Sequence, residues 1–377
     1  MVPALELSHH RRITAVPLLH PYPAVSPAEA RARFPVFEQT AYMNAGSVGP
    51  LSRRTFETMQ AEEAAVLTRG RGTASVWEKA SATATAATQR VAALIHVPAD
   101  RVILTTSTTE GCNIVVTGLR LTPDDEVITT DAEHPGLLMP LLASGAHLRK
   151  SRVMERPASE ALGAVLDEVT PRTKLVALSH VLWLNGHVLP LADIKRETGL
   201  PLLVDGAQSV GAIAVDASVA DWYTVSGQKW LCGPETTGAL YVGDDTTLRP
   251  QMQGSAASTF EQGPLRLAMT HLAPPMVAGM LAALEEVPEW GPSRAADMVA
   301  KCRAALLEAG VEVRTEPGQG TLVSFRTAGE PADVVKQAEA AGVVIRNLPD
   351  GWLRASVGWW NDERDIARLV ASLQDGA

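Results

Sequence analysis

The sequence predicts an α/β protein with a large domain and a smaller C-terminal one. Short apolar runs that stop at a polar residue, such as 202–204 before Asp205, alternate with longer stretches of helical composition. This alternation is typical of strands and crossover helices in a mainly parallel sheet. The chain has 377 residues, of which 46% are hydrophobic and 20% charged, which is ample for a large core. We expect an N-terminal arm over 1–35, a large domain over 36–270 and a small α+β domain over 271–377.

The composition narrows the classes of function. The net charge is −9 and no basic block stands out, which argues against nucleic acid or an anionic membrane as the main partner. The N-terminal apolar stretch is short and broken by prolines, so neither a signal peptide nor a membrane span is predicted. The three cysteines lie far apart without a CxxC pair, which favours a reducing cytoplasm over a disulfide framework or a zinc site; they are Cys112, Cys232 and Cys302.

The sequence predicts helices near the N-terminus, then buried strands, and then an α+β tail. After the proline-rich arm and a short helix over 27–34, residues 52–94 are helical with a break at 69–72. We interpret that break as a connection between two helices rather than a substrate loop. Apolar runs bounded by polar or glycine-rich turns predict buried strands, at 102–105, 126–130, 175–179, 202–204 and 239–242. From 273 onward, helices alternate with short strands, as expected for an α+β tail.

An acid and a lysine fall where α/β sheets bind ligands. Asp205 ends one strand and Lys229 follows the next, so both reach the crevice at the strand carboxyl ends. A buried lysine with a lowered pKa can form a Schiff base with a cofactor aldehyde. An acid facing a pyridine nitrogen keeps that nitrogen protonated, which makes the ring an electron sink. Without its context, the pair Asp205 and Lys229 is better interpreted as two solvated surface charges. The surrounding sequence favours the cofactor site instead.

That surrounding sequence has three ordered motifs: V-D-G-A-Q-S at 204–209, S-G-Q-K-W at 226–230 and G-P-x-x-x-G-A-L-Y at 233–241. Together they resemble the class V aminotransferase and cysteine desulfurase family, fold type I enzymes that depend on pyridoxal phosphate (PLP). Matching motifs run from about Asn44 to Arg354. The resemblance implies a large domain with a mainly parallel seven-stranded sheet between helices. It also implies a homodimer with active sites at the interface and a small-molecule amino-acid substrate.

The resemblance assigns the cofactor ring to four residues. Asp205 would pair with the pyridine nitrogen, Gln208 would contact the ring hydroxyl, and Lys229 would form the Schiff base. His134, in the D-x-E-H-P-G segment after the strand 126–130, would stack on the ring and relay protons.

The phosphate is assigned to a second group. A hydroxyl-rich turn between a strand and a helix favours an anion, because free amides and the helix dipole point at it. The family pattern names Thr108 and Thr109 there, with Ser226 nearby. Gln228 stands where most relatives have histidine, and its amide can donate a hydrogen bond but cannot carry charge. Thr270, in a segment resembling R-x-x-G-T, would reach the phosphate of the neighbouring subunit.

The substrate side is assigned to residues far apart in sequence. Arg354 matches the family arginine that binds the substrate carboxylate, consistent with the planar fork of arginine. Gly46 and Ser47 lie in a turn near that carboxylate, although a simple helix-start turn fits them equally well. Trp183 stands where the family pattern S-H-x-x-N-x-x-G has another residue, and a core tryptophan is the alternative interpretation. His180 and His187 lack a third ligand at a recognised spacing, so no metal site is predicted.

The cysteines and the motifs around the site bear on the type of reaction. Cysteine desulfurases need a nucleophilic cysteine before the small-domain arginine, and none follows Cys302. The segments T-E-G-C-N and S-H-x-L-W resemble most closely the lyases that split cystine or cysteine S-conjugates. We therefore expect a PLP-dependent C–S β-lyase. A decarboxylating oxidative deaminase, an aminotransferase, an epimerase of secondary metabolism and a PLP-binding protein without turnover are the alternatives.

Overall fold

A computed structural model describes residues 25–154, 156–250, 263–268 and 272–374 of the chain. Thr270 and most of the arm at 1–35 lie outside the described residues. The strands in chain order are β1 (Ala41–Tyr42), β2 (Val102–Thr105), β3 (Glu126–Thr130), β4 (His147–Ser151), β5 (Thr173–Ser179), β6 (Leu202–Asp205), β7 (Trp222–Ser226), β8 (Gly238–Val242), β9 (Glu312–Val313), β10 (Leu322–Arg326), β11 (Val343–Val344), β12 (Arg346–Asn347) and β13 (Leu353–Ser356).

Helices flank these strands along the whole described chain. They are α1 (Pro27–Ala32), α2 (Arg53–Arg69), α3 (Ala74–Leu94), α4 (Thr108–Leu119), α5 (Pro135–Ala143), α6 (Ala161–Leu166), α7 (Leu191–Thr198), α8 (Pro274–Leu284), α9 (Gly291–Glu308), α10 (Pro331–Ala340) and α11 (Glu363–Gln374). The predicted break at 69–72 separates α2 from α3, where Gly70 has a positive φ of 79° that ends the first helix.

A seven-stranded sheet with the order β2-β8-β7-β6-β5-β3-β4 forms the larger unit. Only β8 runs against its neighbours β2 and β7, and the remaining neighbours pair in parallel. Every residue of β6 and β7 is buried, because helices cover both faces of such a sheet and the strands become continuously apolar. The predicted α/β fold with a mainly parallel seven-stranded sheet is confirmed.

A four-stranded antiparallel sheet with the order β12-β13-β10-β9 forms the smaller unit. Its core includes residues of α9, α10 and α11, and also Ala41 and Met43 from the beginning of the chain. The reason is that β1 pairs in parallel with β11, with Ala41 opposite Val343. Residues 41–43 therefore pack with the C-terminal unit although they precede the large sheet. The predicted domain limits remain a prediction.

The segment after β5 is bound to the smaller unit by hydrogen bonds. The Thr315 hydroxyl lies 2.8 Å from the carbonyl oxygen of Asn185, and the Gly320 amide donates to the Gly186 carbonyl at 2.9 Å. Gly186 has a φ of 78°, and a Cβ there would stand 2.5 Å from the Leu322 carbonyl oxygen. Only glycine allows this approach. The contact fixes the neighbouring residue Trp183 beside β10 and β13.

In the described part of the chain, no helix is both long and apolar enough to cross a membrane. The same residues contain no group of three or more histidine, cysteine, aspartate or glutamate side chains arranged to hold a metal ion.

A buried ion pair links helices α1 and α11, and it yields a stability prediction. Arg31 of α1 donates to both oxygens of Asp365 of α11, at 2.6 and 2.9 Å, and Asp365 is 1% exposed. Asp365→Ala leaves the cation without its main partner, so the free energy of unfolding should fall by about 3–5 kcal/mol. Denaturant unfolding measures this.

The matched control is the exposed pair between Lys336 and Asp333, whose side chains are 77% and 75% exposed. Lys336→Ala should change the free energy of unfolding by less than about 0.5 kcal/mol. Equal effects of the two substitutions would contradict the assignment.

Candidate active site

The site lies at the carboxyl ends of the central strands. Asp205 is the last residue of β6 and Ser226 the last of β7, and Lys229 follows three residues later. Asp205 is 3% exposed. Its Oδ1 accepts hydrogen bonds from the Ala207 amide at 2.9 Å and the Thr224 hydroxyl at 3.3 Å. These bonds fix a buried carboxylate at the strand end, and a buried carboxylate needs such donors or a cation.

Lys229 lies among two cations and one anion. Burial lowers the pKa of its amine from 10.5 to about 8; Asp205 opposes this shift, whereas Arg354 and Arg346 add to it. A substantial fraction of the amine is therefore neutral near pH 8, and only the neutral amine is a nucleophile or a base.

The turn over residues 44–50 presses against the backbone of Lys229. The Gly49 amide donates to the Gln228 carbonyl oxygen at 2.7 Å. A Cβ on Gly49 would stand 1.9 Å from the Lys229 carbonyl oxygen, so no larger residue fits without a shift. The predicted substrate turn thus also positions the lysine. Sequence reasoning did not single out Gly49, because close approach of two backbones leaves no mark except a glycine.

His134 caps α5 and lies beside Trp183. Its Nδ1 accepts a hydrogen bond from the Gly136 amide at 3.1 Å, so the proton of the neutral ring is on Nε2. Burial lowers the pKa of this histidine, and the positive charge of Lys229 adds to the effect. The rings of His134 and Trp183 meet edge to face, with centroids 5.2 Å apart. The histidine is thus held as a neutral donor.

The residue before His134 anchors it to the sheet. The Glu133 carboxylate accepts from the Thr130 hydroxyl at 2.6 Å and from the Ser179 hydroxyl at 2.6 Å. These contacts join the ends of β3 and β5. Burial raises the pKa of Glu133 to about 7 although the hydrogen bonds oppose the shift.

The predicted phosphate helix is longer than expected. α4 begins at Thr108 rather than at Cys112, because Ser107 caps it by accepting the Glu110 amide at 3.1 Å. Within the described residues the amides of Thr108 and Thr109 find no acceptor. The Thr109 hydroxyl stands 2.7 Å from where a Cβ on Gly136 would lie. The free amides of α4 therefore open toward the start of α5, next to His134.

The two glutamines differ in what they can still offer a ligand. Gln228 accepts the Thr236 amide at 3.1 Å through its carbonyl oxygen. The NH₂ group of Gln228 could therefore donate a hydrogen bond to a phosphate. In Gln208, Nε2 donates to the Gly46 carbonyl at 2.8 Å and Oε1 accepts from the Trp230 indole at 2.9 Å. Its predicted contact with the ring hydroxyl stays a prediction.

Two arginines converge on Ser47. Arg354 of β13 is 0% exposed and donates to the Trp183 carbonyl at 3.1 Å and the Ser47 hydroxyl at 3.4 Å. Arg346 lies opposite it in β12 and donates to the same hydroxyl at 3.0 Å. Burial lowers the pKa of Arg354 to about 9, and Arg346 adds to the shift. Among the described residues, neither guanidinium has a carboxylate within ion-pair distance.

Two neighbouring cations without an acid favour an anionic ligand. Sequence reasoning predicted Arg354 and missed Arg346. The signal that would have found it is Asp350-Gly351, a hairpin pair, which turns β12 back onto β13.

The two histidines near the segment after β5 have separate partners. Nδ1 of His180 lies 2.6 Å from the Tyr223 hydroxyl, and burial lowers the pKa of His180 to about 4. Nε2 of His187 lies 3.5 Å from Glu316.

The contacts described above bring six of the predicted residues into one site, namely Asp205, Lys229, His134, Trp183, Ser47 and Arg354.

The chain is similar to a known family, to curated relatives and to solved structures. Residues 47–369 match the class V aminotransferase family. A probable cysteine desulfurase from Methanothermobacter thermautotrophicus is 27% identical over 92% of this chain and 97% of its own length. Isopenicillin N epimerase from Streptomyces clavuligerus is 32% identical over 57% of this chain and 56% of its own. The cystine C–S lyase C-DES, solved in complex with its reaction product cysteine persulfide, has a TM-score of 0.84 and 28% identity, covering 91% of this chain and 99% of that one.

The charges around Lys229 predict how its reactivity depends on pH. In the cofactor-free protein, the rate at which Lys229 reacts with an aldehyde should reach half its maximum near pH 8 rather than 10.5. Arg346→Met removes a cation that lowers the pKa, so the midpoint should rise. Asp205→Asn removes an anion that raises the pKa, so the midpoint should fall. Imine absorbance followed across pH, with Lys229→Ala as the blank, measures these shifts. A midpoint that moves the same way in both variants would refute the assignment.

Proposed function

Because the chain belongs to the class V aminotransferase family, whose members depend on pyridoxal phosphate, we propose that it is a C–S β-lyase. Its substrate is cystine or another S-substituted cysteine, and its products are pyruvate, ammonia and a thiol or persulfide. The observation that carries the proposal is the buried Lys229 amine, whose pKa is lowered to about 8, beside two arginines that have no acidic partner among the described residues. A base and a carboxylate site are what β-elimination from an amino acid requires.

The residues present fit the cofactor at each of its ends. The free amides of Thr108 and Thr109 suit its phosphate, and the buried Asp205 suits its pyridine nitrogen. Lys229 can bond its aldehyde, and His134 can cover one ring face. When bound, PLP withdraws electrons from the substrate Cα and so makes the Cα proton removable.

The protein's own residues then divide the work between proton transfer and orientation. Lys229, as a neutral amine, takes the proton from Cα. The electron pair left behind expels sulfur from Cβ as a thiolate or persulfide anion, and no external oxidant or reductant is needed. Water then converts the three-carbon remainder to pyruvate and ammonia. Arg354 and Arg346 hold the α-carboxylate throughout, which orients the Cα–H bond toward the lysine.

The chain's own cysteines support a lyase rather than a persulfide-forming desulfurase. All three thiols are free and buried. Burial raises the pKa of Cys302 to about 12 and that of Cys112 and Cys232 well above the ordinary value. A sulfur acceptor must be an accessible thiolate. The sulfur therefore leaves on a small molecule.

Epimerisation is the second candidate, because isopenicillin N epimerase is among the relatives at 32% identity. It would use the same base and the same carboxylate site but would return a proton to the opposite face of Cα. The Nε2–H of His134 is a candidate donor for that role, since Nδ1 already accepts a hydrogen bond from the Gly136 amide.

One assay separates these reactions. Purified holoenzyme should release pyruvate together with an equal amount of thiol from an S-alkylcysteine, or of cysteine persulfide from cystine. Lys229→Ala should abolish the release and the visible absorbance of the lysine-bound cofactor. Arg354→Met, by removing a charged hydrogen-bond donor, should raise KM by roughly ten- to a hundredfold. A D-amino acid without pyruvate would establish the epimerase. A keto acid that retains its sulfur would establish an aminotransferase or a deaminase, and absence of the absorbance would leave a binding protein.

We also propose a cytoplasmic homodimer with its active sites at the interface. Support comes from α5, which begins beside His134 and leaves Met139 57% and Leu142 51% exposed. Large apolar side chains on one helix are typical of an interface. Free cysteines fit a reducing compartment.

Sedimentation at micromolar concentration should therefore show a dimer. Met139→Glu should shift it toward monomer, because a charge does not tolerate burial, whereas Leu307→Glu, on an exposed residue of α9, should not. A wild-type monomer would reject the dimer but leave the lyase assignment intact.

A further inference from the structure

The carboxylate site and the lysine loop are joined by one line of buried hydrogen bonds. The Trp230 indole N–H donates to Oε1 of Gln208 at 2.9 Å, and Nε2 of Gln208 donates to the Gly46 carbonyl at 2.8 Å. Trp230 directly follows Lys229 and is 0% exposed, and Gln208 is 5% exposed. Gly46 precedes Ser47, the residue on which both arginines converge.

The orientation of the Gln208 amide is fixed by its two partners. An indole N–H can only donate and a carbonyl oxygen can only accept. The oxygen of Gln208 must therefore face Trp230, and its NH₂ group must face Gly46. Without the indole N–H, the amide is free to turn over, and its hold on the Gly46 carbonyl is lost.

The turn that Gln208 holds has no room to move. A Cβ on Gly46 would stand 2.8 Å from Nη2 of Arg354 and 2.9 Å from Oγ of Ser356, so the glycine lies against the guanidinium. The Ser47 hydroxyl donates to Asn44 Oδ1 at 2.8 Å and accepts from both arginines. One donor and two acceptor positions are all that a hydroxyl has. A displaced turn therefore displaces both guanidinium groups.

We propose that Trp230 is a positioning residue for the carboxylate-binding arginines. Through Gln208 it holds the Gly46–Ser47 turn against Arg354 and Arg346, so the residue next to the catalytic lysine sets the geometry with which the substrate carboxylate is bound. The proposal rests on the proposed function in one respect, that these arginines bind an amino-acid carboxylate. It assigns Trp230 no contact with the substrate or the reacting atoms.

The test is Trp230→Phe, which keeps an aromatic ring and removes the N–H. In the holoenzyme, the dissociation constant for glycine, an amino acid without a leaving group, should rise about tenfold, as expected for one lost buried hydrogen bond. KM for the cleaved substrate should rise by the same factor while kcat changes by less than about twofold. Calorimetry measures glycine binding, and the cofactor absorbance should stay unchanged.

The matched control is Trp360→Phe. Trp360 is also 0% exposed and stacks on Trp230, with ring centroids 6.2 Å apart. Its indole nitrogen has no hydrogen-bond partner within the part of the chain that the structure describes. The two substitutions remove the same atoms from the same aromatic cluster, so their shared effect on thermal stability reports packing alone. Trp360→Phe should leave glycine affinity within about twofold of wild type.

A second variant covers the case in which Trp230→Phe does not fold. Gln208→Met has similar length but neither donor nor acceptor, so it should weaken glycine binding as much. Adding Trp230→Phe to Gln208→Met should weaken glycine binding no further, because the hydrogen bonds from Trp230 to Gly46 are already lost.

Equal losses in Trp230→Phe and Trp360→Phe, full additivity in the double variant, or loss of cofactor absorbance together with affinity in Trp230→Phe would overturn the proposal. Wild-type protein that binds glycine but releases no pyruvate would reject the lyase assignment and leave this inference standing. Wild-type holoenzyme that binds no amino acid would reject both.

Discussion

The Arg354 guanidinium is fully buried, and its partners among the described residues are the neutral oxygens of Trp183 and Ser47. Removing a cation from water is costly unless hydrogen bonds or an anion compensate. The neighbouring structure supplies only part of that compensation. The turn at Gly46–Ser47 and the segment after β5, fixed to the smaller unit through Asn185 and Gly186, hold the cation in place. A substrate carboxylate would supply the rest.

Arg354 and Arg346 also affect the pKa of Lys229. Binding of a carboxylate by the arginines would therefore be coupled to protonation of the lysine. Burial is the main cause that lowers the pKa of Lys229 to about 8, and Arg354 and Arg346 lower it further. A bound carboxylate neutralises part of that positive charge, and the proton affinity of the amine then rises. If Lys229 is the base, as proposed, it would become stronger when a substrate carboxylate is bound. Reciprocally, protonation of the lysine tightens the hold on the carboxylate.

Much of the fold was predictable because its strands are buried on both faces. β2 and β3 have the predicted bounds, and apolar runs also predicted β5, β6 and β8 to within two residues. β4 was missed because its sequence, HLRKS, lies at the sheet edge and is mostly exposed or half-buried. β1 and β11 were missed because two-residue strands exist only through their pairing. In the site, a recognisable motif identified Asp205 and Lys229, whereas Arg346, Gly49 and Trp230 owe their roles to residues distant in sequence.

The pairing of β1 with β11 has a consequence for how the protein is made. Ala41 pairs with Val343, which lies 302 residues later in the chain, and the turn that follows β1 contacts both Lys229 and Arg354. Contacts so distant in sequence form late in folding, after the entropy of closing a long loop has been overcome. On the ribosome, the large sheet can be complete while the turn over 44–50 still lacks the strands it packs against. The turn can therefore contact Lys229 once the larger unit has formed, whereas its contact with Arg354 waits for the strands of the smaller unit.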